Sequence, residues 1–162
     1  MEKKLKEALN EQIKNEFYSA YLYLSMAAYC ETQNLPGFAH WLKVQAKEEI
    51  SHGMKIFDFM TDLGEQVILK AIDQPSVNFS SPTEIFEHTL EHEKKVTAMI
   101  NNLVTLAQQA NDNPTMVMLQ WFVSEQVEEE KNAAYILNTL KMIKDVAPAI
   151  VMIDKELGKR EG

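Results

Sequence analysis

The chain has 162 residues, 16 basic against 24 acidic for a formal charge of −8, with 46% hydrophobic residues and only five Gly and five Pro. That length suits one domain with a sizeable core, and the composition favours helices over a turn-rich β fold. The acidic balance argues against nucleic acid or an anionic membrane as partner, and a single cysteine, Cys30, excludes a disulfide framework or a cysteine-based zinc finger.

Five helices are predicted in chain order, at about 3–33, 38–63, 82–111, 114–144 and 148–157. The basic start, Met1 to Lys6, leads into no apolar signal segment. Pro36-Gly37 ends the first helical stretch and Gly64 the second. Ser81-Pro82-Thr83-Glu84 opens the third as N-cap, first helical residue and capping-box acid. Asn113-Pro114 opens the fourth in the same way, and Pro148 and Gly158 bracket the fifth. The longest apolar run, Val146 to Ile153, is too short to span a bilayer, so a soluble, cytoplasmic protein is expected. The first and third connections are short and make antiparallel hairpins. The second, Glu65 to Ser81, is long and shows little helical pattern. A crossover running the length of a bundle explains it, which predicts an all-α four-helix bundle with one long crossover and a short fifth helix. Residues 1–162 then form a single domain.

Each long helix carries an apolar stripe at 3–4 spacing. The stripes read Leu9, Ile13, Phe17, Ala20, Leu24, Ala27; then Phe38, Leu42, Ile56, Phe59, Leu63; then Phe86, Leu90, Thr97, Ile100, Val104, Ala107; then Leu119, Phe122, Val123, Ala133, Ile136, Leu140. Polar groups interrupt all four near mid-helix: Glu16, then Glu49 and His52, then Glu93, then Gln126 and Glu129. Mid-helix positions of antiparallel helices meet at one height. Four carboxylates, an imidazole and an amide therefore converge, and no Lys or Arg lies on these stripes to neutralise them. Unpaired carboxylates are prohibitively costly in a core, so a divalent or trivalent metal is the natural counter-charge. The spacing is symmetric: 33 residues separate Glu16 from Glu49 and Glu93 from Gln126. A step of 77 takes Glu16 to Glu93, Glu49 to Gln126 and His52 to Glu129, as a pseudo-twofold dinuclear site requires. The bland alternative, a buried polar network or acids turned to solvent, demands the same coincidence on four stripes.

The pattern Glu16 … Glu49-x-x-His52 … Glu93 … Gln126-x-x-Glu129, with the long crossover and the short last helix, resembles the ferroxidase centre of ferritins over the whole chain. Tyr23, seven residues after Glu16, matches the family's tyrosine beside the diiron site; packing with a local hydrogen bond is the alternative. Gln126-Val-Glu-Glu129 stands where bacterioferritins have a second Glu-x-x-His, and Ile50 stands where they have a haem-binding methionine. The chain is thus most similar to bacterial non-haem ferritins, and no haem is expected.

The resemblance implies that Glu49 bridges two irons. Glu16 and His52 would complete the first position; Glu93 and Glu129 would serve the second, with Gln126 touching metal or its water, or remaining a core amide. It also implies a third iron position on Glu48, Glu125, Glu128 and Glu129, against a solvated acidic face. Such a site would oxidise Fe(II) with dioxygen and store ferric oxide-hydroxide in a shell of 24 chains. Some oligomer is expected independently, because Ala149, Ile150, Val151, Met152 and Ile153 make the last helix apolar nearly all round. A carrier bundle that binds metal without turnover is the rival reading. A diiron peroxidase or oxygenase is disfavoured, since the chain lacks a second Glu-x-x-His and a rubredoxin-like cysteine pair. His88 and His92 have a zinc-binding i, i+4 spacing but lie off the apolar arc and are expected to be exposed.

Overall fold

The computed structural model describes all residues 1–162. Five helices form and no strand does: α1 Lys3–Thr32, α2 Pro36–Asp62, α3 Pro82–Gln109, α4 Asn113–Ile143 and α5 Ala147–Leu157. The long helices each run roughly 40 Å at 1.5 Å per residue. α1 pairs with α2 and α3 with α4, while α5 docks on α2 and touches α4.

The crossover from α2 to α3 is non-helical and runs alongside α1. Glu65 accepts from the Met1 amino group at 3.0 Å and from Lys6 at 2.8 Å. Further along, the Ile68 N–H donates to Asn10 Oδ1 at 2.7 Å and Lys70 pairs with Glu11 at 2.7 Å. At the far end Ser25 donates to the Ser76 carbonyl and Phe79 packs on Tyr29. The crossover thus traverses the bundle from one end to the other, and α2 and α3 run parallel.

Helix ends differ from expectation in three places. Asn34, with φ 57°, ends α1, and Pro36 and Gly37 already belong to α2. Asn34, Gly64 and Asn111 take left-handed conformations, and each is followed by an N–H that bonds back across the last helical turn. The N-cap of α4 is Asp112, whose carboxylate accepts from the Thr115 N–H at 3.1 Å, rather than Asn113. At α3, Ser81 caps as expected, but Glu84 reaches back to Ser80 rather than to Ser81.

The start of α2 is capped from another helix. Asp154 of α5 is buried and accepts from the Gly37 and Phe38 N–H groups at 2.8 and 3.0 Å. Gly37 must lack a side chain, since a Cβ there would stand 1.6 Å from the Asp154 carbonyl oxygen. Gly158 keeps an ordinary right-handed conformation, and a Cβ there would meet the Gly37 Cα at an ordinary contact distance of 3.4 Å, so the requirement for glycine lies at Gly37. Asp154→Ala strands two N–H groups and is expected to cost about 1–2 kcal/mol in denaturant unfolding. Unchanged stability would show that α5 is docked by its apolar face alone.

The apolar core is divided in two. One cluster, at the α1–α2 loop end, contains Tyr23, Met26, Phe38, Leu42, Phe86 and Leu140. The other contains Leu5, Leu9, Ile13, Ile56, Ile100 and Phe122. A slab of buried polar residues separates them. Three stripe residues prove exposed instead, namely Leu24, Leu63 and Val123. Leu24 and Val123 lie at the margins of their arcs, and Leu63 is the residue that caps the end of α2, at the tip of the bundle. No helix is long and apolar enough to cross a membrane.

Candidate metal centre

The polar slab contains all six interrupting residues. Glu16, Glu49, His52, Glu93, Gln126 and Glu129 are each 6% exposed or less, although four are acids. Their ligand atoms form three overlapping groups, each with atoms within 4.8 Å of one another: Glu16–Glu49–His52, Glu49–Glu93–Glu129 and His52–Glu125–Glu129. Glu49 belongs to the first two and stands between them. His52 Nδ1 lies 3.4 Å from Glu49 Oε2 and 3.9 Å from Glu16 Oε2, and its Nε2 lies 3.8 Å from Glu125 Oε1.

Burial dominates the electrostatics. It pushes Glu16 and Glu49 well above the usual carboxylate range, with the mutual repulsion of the acids adding to it. Glu93 is raised by the same desolvation, and Glu129 is raised to about 8 by burial and the Glu93 charge. No lysine or arginine pairs with any of the four. Glu16 Oε2 is buried with no hydrogen-bond partner at all. Buried acids without cations, one with an orphaned oxygen, make the donor set that a bound cation satisfies.

Uncharged donors orient the acids. Tyr23, fully buried, donates its hydroxyl to Glu93 Oε1. Gln126 turns its amide nitrogen to Glu93 Oε2, the Glu93 carbonyl and Thr97 Oγ1, each at 3.2 Å. Two further amides lie outside the apolar stripes and escape that pattern. Gln12 donates to Glu16 at 2.7 Å, and Gln45 donates to Glu49 at 2.9 Å and Glu129 at 2.8 Å. Each sits one turn before its acid, and the 33-residue step that relates Glu16 to Glu49 also relates Gln12 to Gln45. That repeat is the signal by which the sequence marks them.

Of the acids expected at a third position, Glu125 and Glu129 meet at His52. Glu48 instead pairs with Arg160 at 2.7 Å, and Glu128 is exposed and joins no ligand group. Trp121 covers His52, with ring centroids 5.3 Å apart, and Lys55 lies over the indole. His92 is not the exposed residue expected. Its Nε2 lies 2.7 Å from Ser19 Oγ, its ring meets Tyr23 edge-on, and burial lowers its pKa to about 4. The period fails here because the α1 face carrying Ser19 and Tyr18 closes over it. His88 is exposed and lies 3.9 Å from Glu84. Cys30 is buried and its thiol is raised to about 12, an inert core group.

Residues 6–143 match the Ferritin family as a ferritin-like domain. The chain belongs to the ferritin family. This ferritin is 41% identical over 160 residues to the bacterial non-heme ferritin of Staphylococcus aureus (strain USA300), covering 99% of this chain and 96% of that one. It is 42% identical to the bacterial non-heme ferritin of Staphylococcus epidermidis over the same shares. An open pore ferritin from the hyperthermophilic archaeon Archaeoglobus fulgidus superposes with a TM-score of 0.98 at 46% identity, covering 99% of this chain and 98% of that one. A humanized archaeal ferritin superposes equally well at 46% identity. The all-α bundle with a long crossover and a short fifth helix is therefore the ferritin fold, as the sequence pattern predicted.

Proposed function

We propose that this ferritin stores iron by oxidising Fe(II) with dioxygen at an intrasubunit dinuclear centre and keeping the ferric oxide-hydroxide inside a homo-oligomeric shell. The observation that carries the reading is Glu49, shared between two carboxylate-rich groups in a buried slab with no cation of its own. Residues 1–162 act as one diiron domain. Oxygen and imidazole donors suit Fe(II), which is substrate here. Glu16, Glu49 and His52 would hold the first ion, and Glu49, Glu93 and Glu129 the second. Gln126 and Tyr23 fix Glu93, and Gln126 lends its amide oxygen to the metal or its water. Two Fe(II) would give two electrons to one dioxygen, which with two protons is reduced to the level of hydrogen peroxide, while water hydrolysed on the ferric product releases protons. Glu125 and Glu129, which meet at His52, would give product or incoming iron a third, weaker position; Glu48, paired with Arg160, and Glu128, exposed, stand outside it.

The two positions differ because one has an imidazole and the other only carboxylates, so one ion is held more tightly. Haem plays no part in this reading, since Ile50 offers no axial ligand beside Glu49. A cytoplasmic location suits a chain that keeps a lone buried thiol. Association of the chain into an oligomer is supported by exposed apolar side chains in two places, and the number of 24 chains rests on the family resemblance alone. Tyr21, Leu24, Ile50 and Ile72 lie on the α1–α2 face, and Val151 and Met152 lie on α5. Ile150, Ile153 and Leu157 of α5 pack inward, so the bundle covers one side of that helix and leaves the other for symmetry mates.

The test is aerobic addition of Fe(II), followed by ferric absorbance and native mass. The expected result is absorbance growing beyond two irons per chain inside a large assembly. Metal binding without oxidation would leave a carrier. A monomer or dimer at micromolar concentration would exclude storage in a shell. Deleting residues from Pro148 onward is expected to lower the mass measured by light scattering.

A further inference from the structure

Arg160 is the only arginine among the 16 basic residues, and it lies in the tail that follows α5. The tail folds back along the first half of α2. Arg160 stacks on Trp41, its guanidinium carbon 4.3 Å from the ring centroid. Its Nη1 donates to the Trp41 carbonyl at 3.2 Å, and its own carbonyl lies 2.7 Å from His40 Nε2. With the head held this way, Nη2 donates to Glu48 Oε2 at 2.7 Å and to Gln45 Oε1 at 3.0 Å.

Donor and acceptor chemistry makes the last bond directional. A guanidinium has donors only, so whatever faces it must accept. Gln45 is 1% exposed and therefore presents its amide oxygen to Arg160. Its NH₂ is left facing Glu49 Oε1 at 2.9 Å and Glu129 Oε2 at 2.8 Å. The opposite amide orientation would turn the NH₂ toward a guanidinium that offers no acceptor. Glu49 and Glu129 are the acids that join the ligand groups to one another.

We propose that Arg160 is a positioning residue of the metal centre: it locks the Gln45 amide so that Gln45 holds Glu49 and Glu129 in ligand geometry. The inference rests on the dinuclear reading given above. It gives the tail beyond α5 a role at a site it never touches. Fixing the orientation of a ligand from outside the coordination sphere is typically worth about 10–100-fold in metal affinity.

Anaerobic Co(II) titration of the assembled protein, followed in the visible spectrum, tests this. Wild type is expected to bind two Co(II) per chain. Arg160→Ala should weaken one binding event by about 10–100-fold and change its d–d band, with the melting temperature little altered. Gln45→Met, which keeps the shape and leaves the tail alone, should produce the same loss even if Arg160→Ala undocks the tail. The double variant should lose no more than either single one. Two-ion binding in both variants indistinguishable from wild type overturns the inference, as does a full second loss in the double variant, which would place the effect of Arg160 in Glu48 or in tail docking. A wild type that fails to bind two Co(II) overturns the dinuclear reading and this inference with it, so the two failures are distinct.

Discussion

Replacing Glu49 by alanine is expected to slow rapid Fe(II) oxidation by more than about 100-fold while leaving the helical bundle folded. Loss of an outer partner of a metal ligand already costs about 10–100-fold, and Glu49 is itself shared between the two carboxylate groups. On the dinuclear reading proposed above, neither position would keep its third donor without it, and the two ions would lose their common ligand. The fold does not depend on it, because the apolar clusters lie above and below the polar slab. Stability follows the charge. Glu49 is buried beside Glu93 and Glu129, and both push its pKa up. Glu49→Gln keeps the shape and removes that repulsion, so the metal-free melting temperature should rise. Glu49→Ala gains the same relief but leaves a small cavity and a free Gln45 donor, so its melting temperature should stay close to wild type. Stopped-flow oxidation at the wild-type rate in either variant would overturn the site assignment.

Metal-free protein is expected to become less stable as pH rises from 6.5 to 8, and bound Zn(II) should reverse the trend. The folded-state pKa values of Glu16, Glu49, Glu93 and Glu129 all lie above the ordinary 4.5, with Glu129 at about 8. In that window the unfolded chain has released these protons while the folded chain retains some. The unfolded state binds fewer protons, so unfolding free energy falls with pH. A tenfold difference in proton affinity between the two states corresponds to about 1.4 kcal/mol. His92 acts in the opposite sense. Its pKa is lowered from 6.5 to about 4, so its contribution to stability rises with pH between those values. Above 6.5 that contribution is complete and the acids decide the slope. A divalent ion takes the place of the protons, so binding releases them. Calorimetry of Zn(II) binding in buffers of different ionisation enthalpy should show the release, and thermal melts at pH 6.5 and 8 should show the slope. A metal-free melting temperature that climbs across this window would contradict the electrostatic picture.

The centre was legible because helical periodicity is rigid. At about 100° per residue, an acid between Ile13 and Ala20 can point only where Ile13 and Ala20 point, and Glu16 does. The same holds for Glu49, His52, Glu93, Gln126 and Glu129. The crossover could be read because the Glu65 to Ser81 segment lacks that period. What could not be read depends on which faces meet. Leu24 and Val123 satisfy the period and remain exposed, while His92 violates it and is covered by α1. Gln12 and Gln45 are polar and lie outside the apolar spacing, yet they sit one turn from the acids they serve. Arg160 and Asp154 act on α2 from more than a hundred residues away, and local pattern has no reach over that distance. Helix boundaries differ for a local reason: Asn34 and Asn111 supply the left-handed turns that the pattern assigns to glycine and proline nearby.

Lys144 and Asp145, between α4 and α5, both have positive φ, at 49° and 56°. Neither is a glycine; the conformation costs Lys144 roughly 1–2 kcal/mol and Asp145, whose short polar side chain tolerates it, less. Beyond that hinge α5 is held by Asp154, whose two hydrogen bonds cap α2, and by the packing of Ile150, Ile153 and Leu157 on the core. The two opposing contributions are of similar size. The last helix therefore behaves as a sprung latch, strained at its hinge and fastened at its tip. Weakening the catch at Asp154 lets the hinge relax and carries Arg160 away from Gln45. On the proposed reading, the outward contacts of α5 and the hold of Gln45 on Glu49 and Glu129 would thereby depend on a single mechanical balance in the last helix.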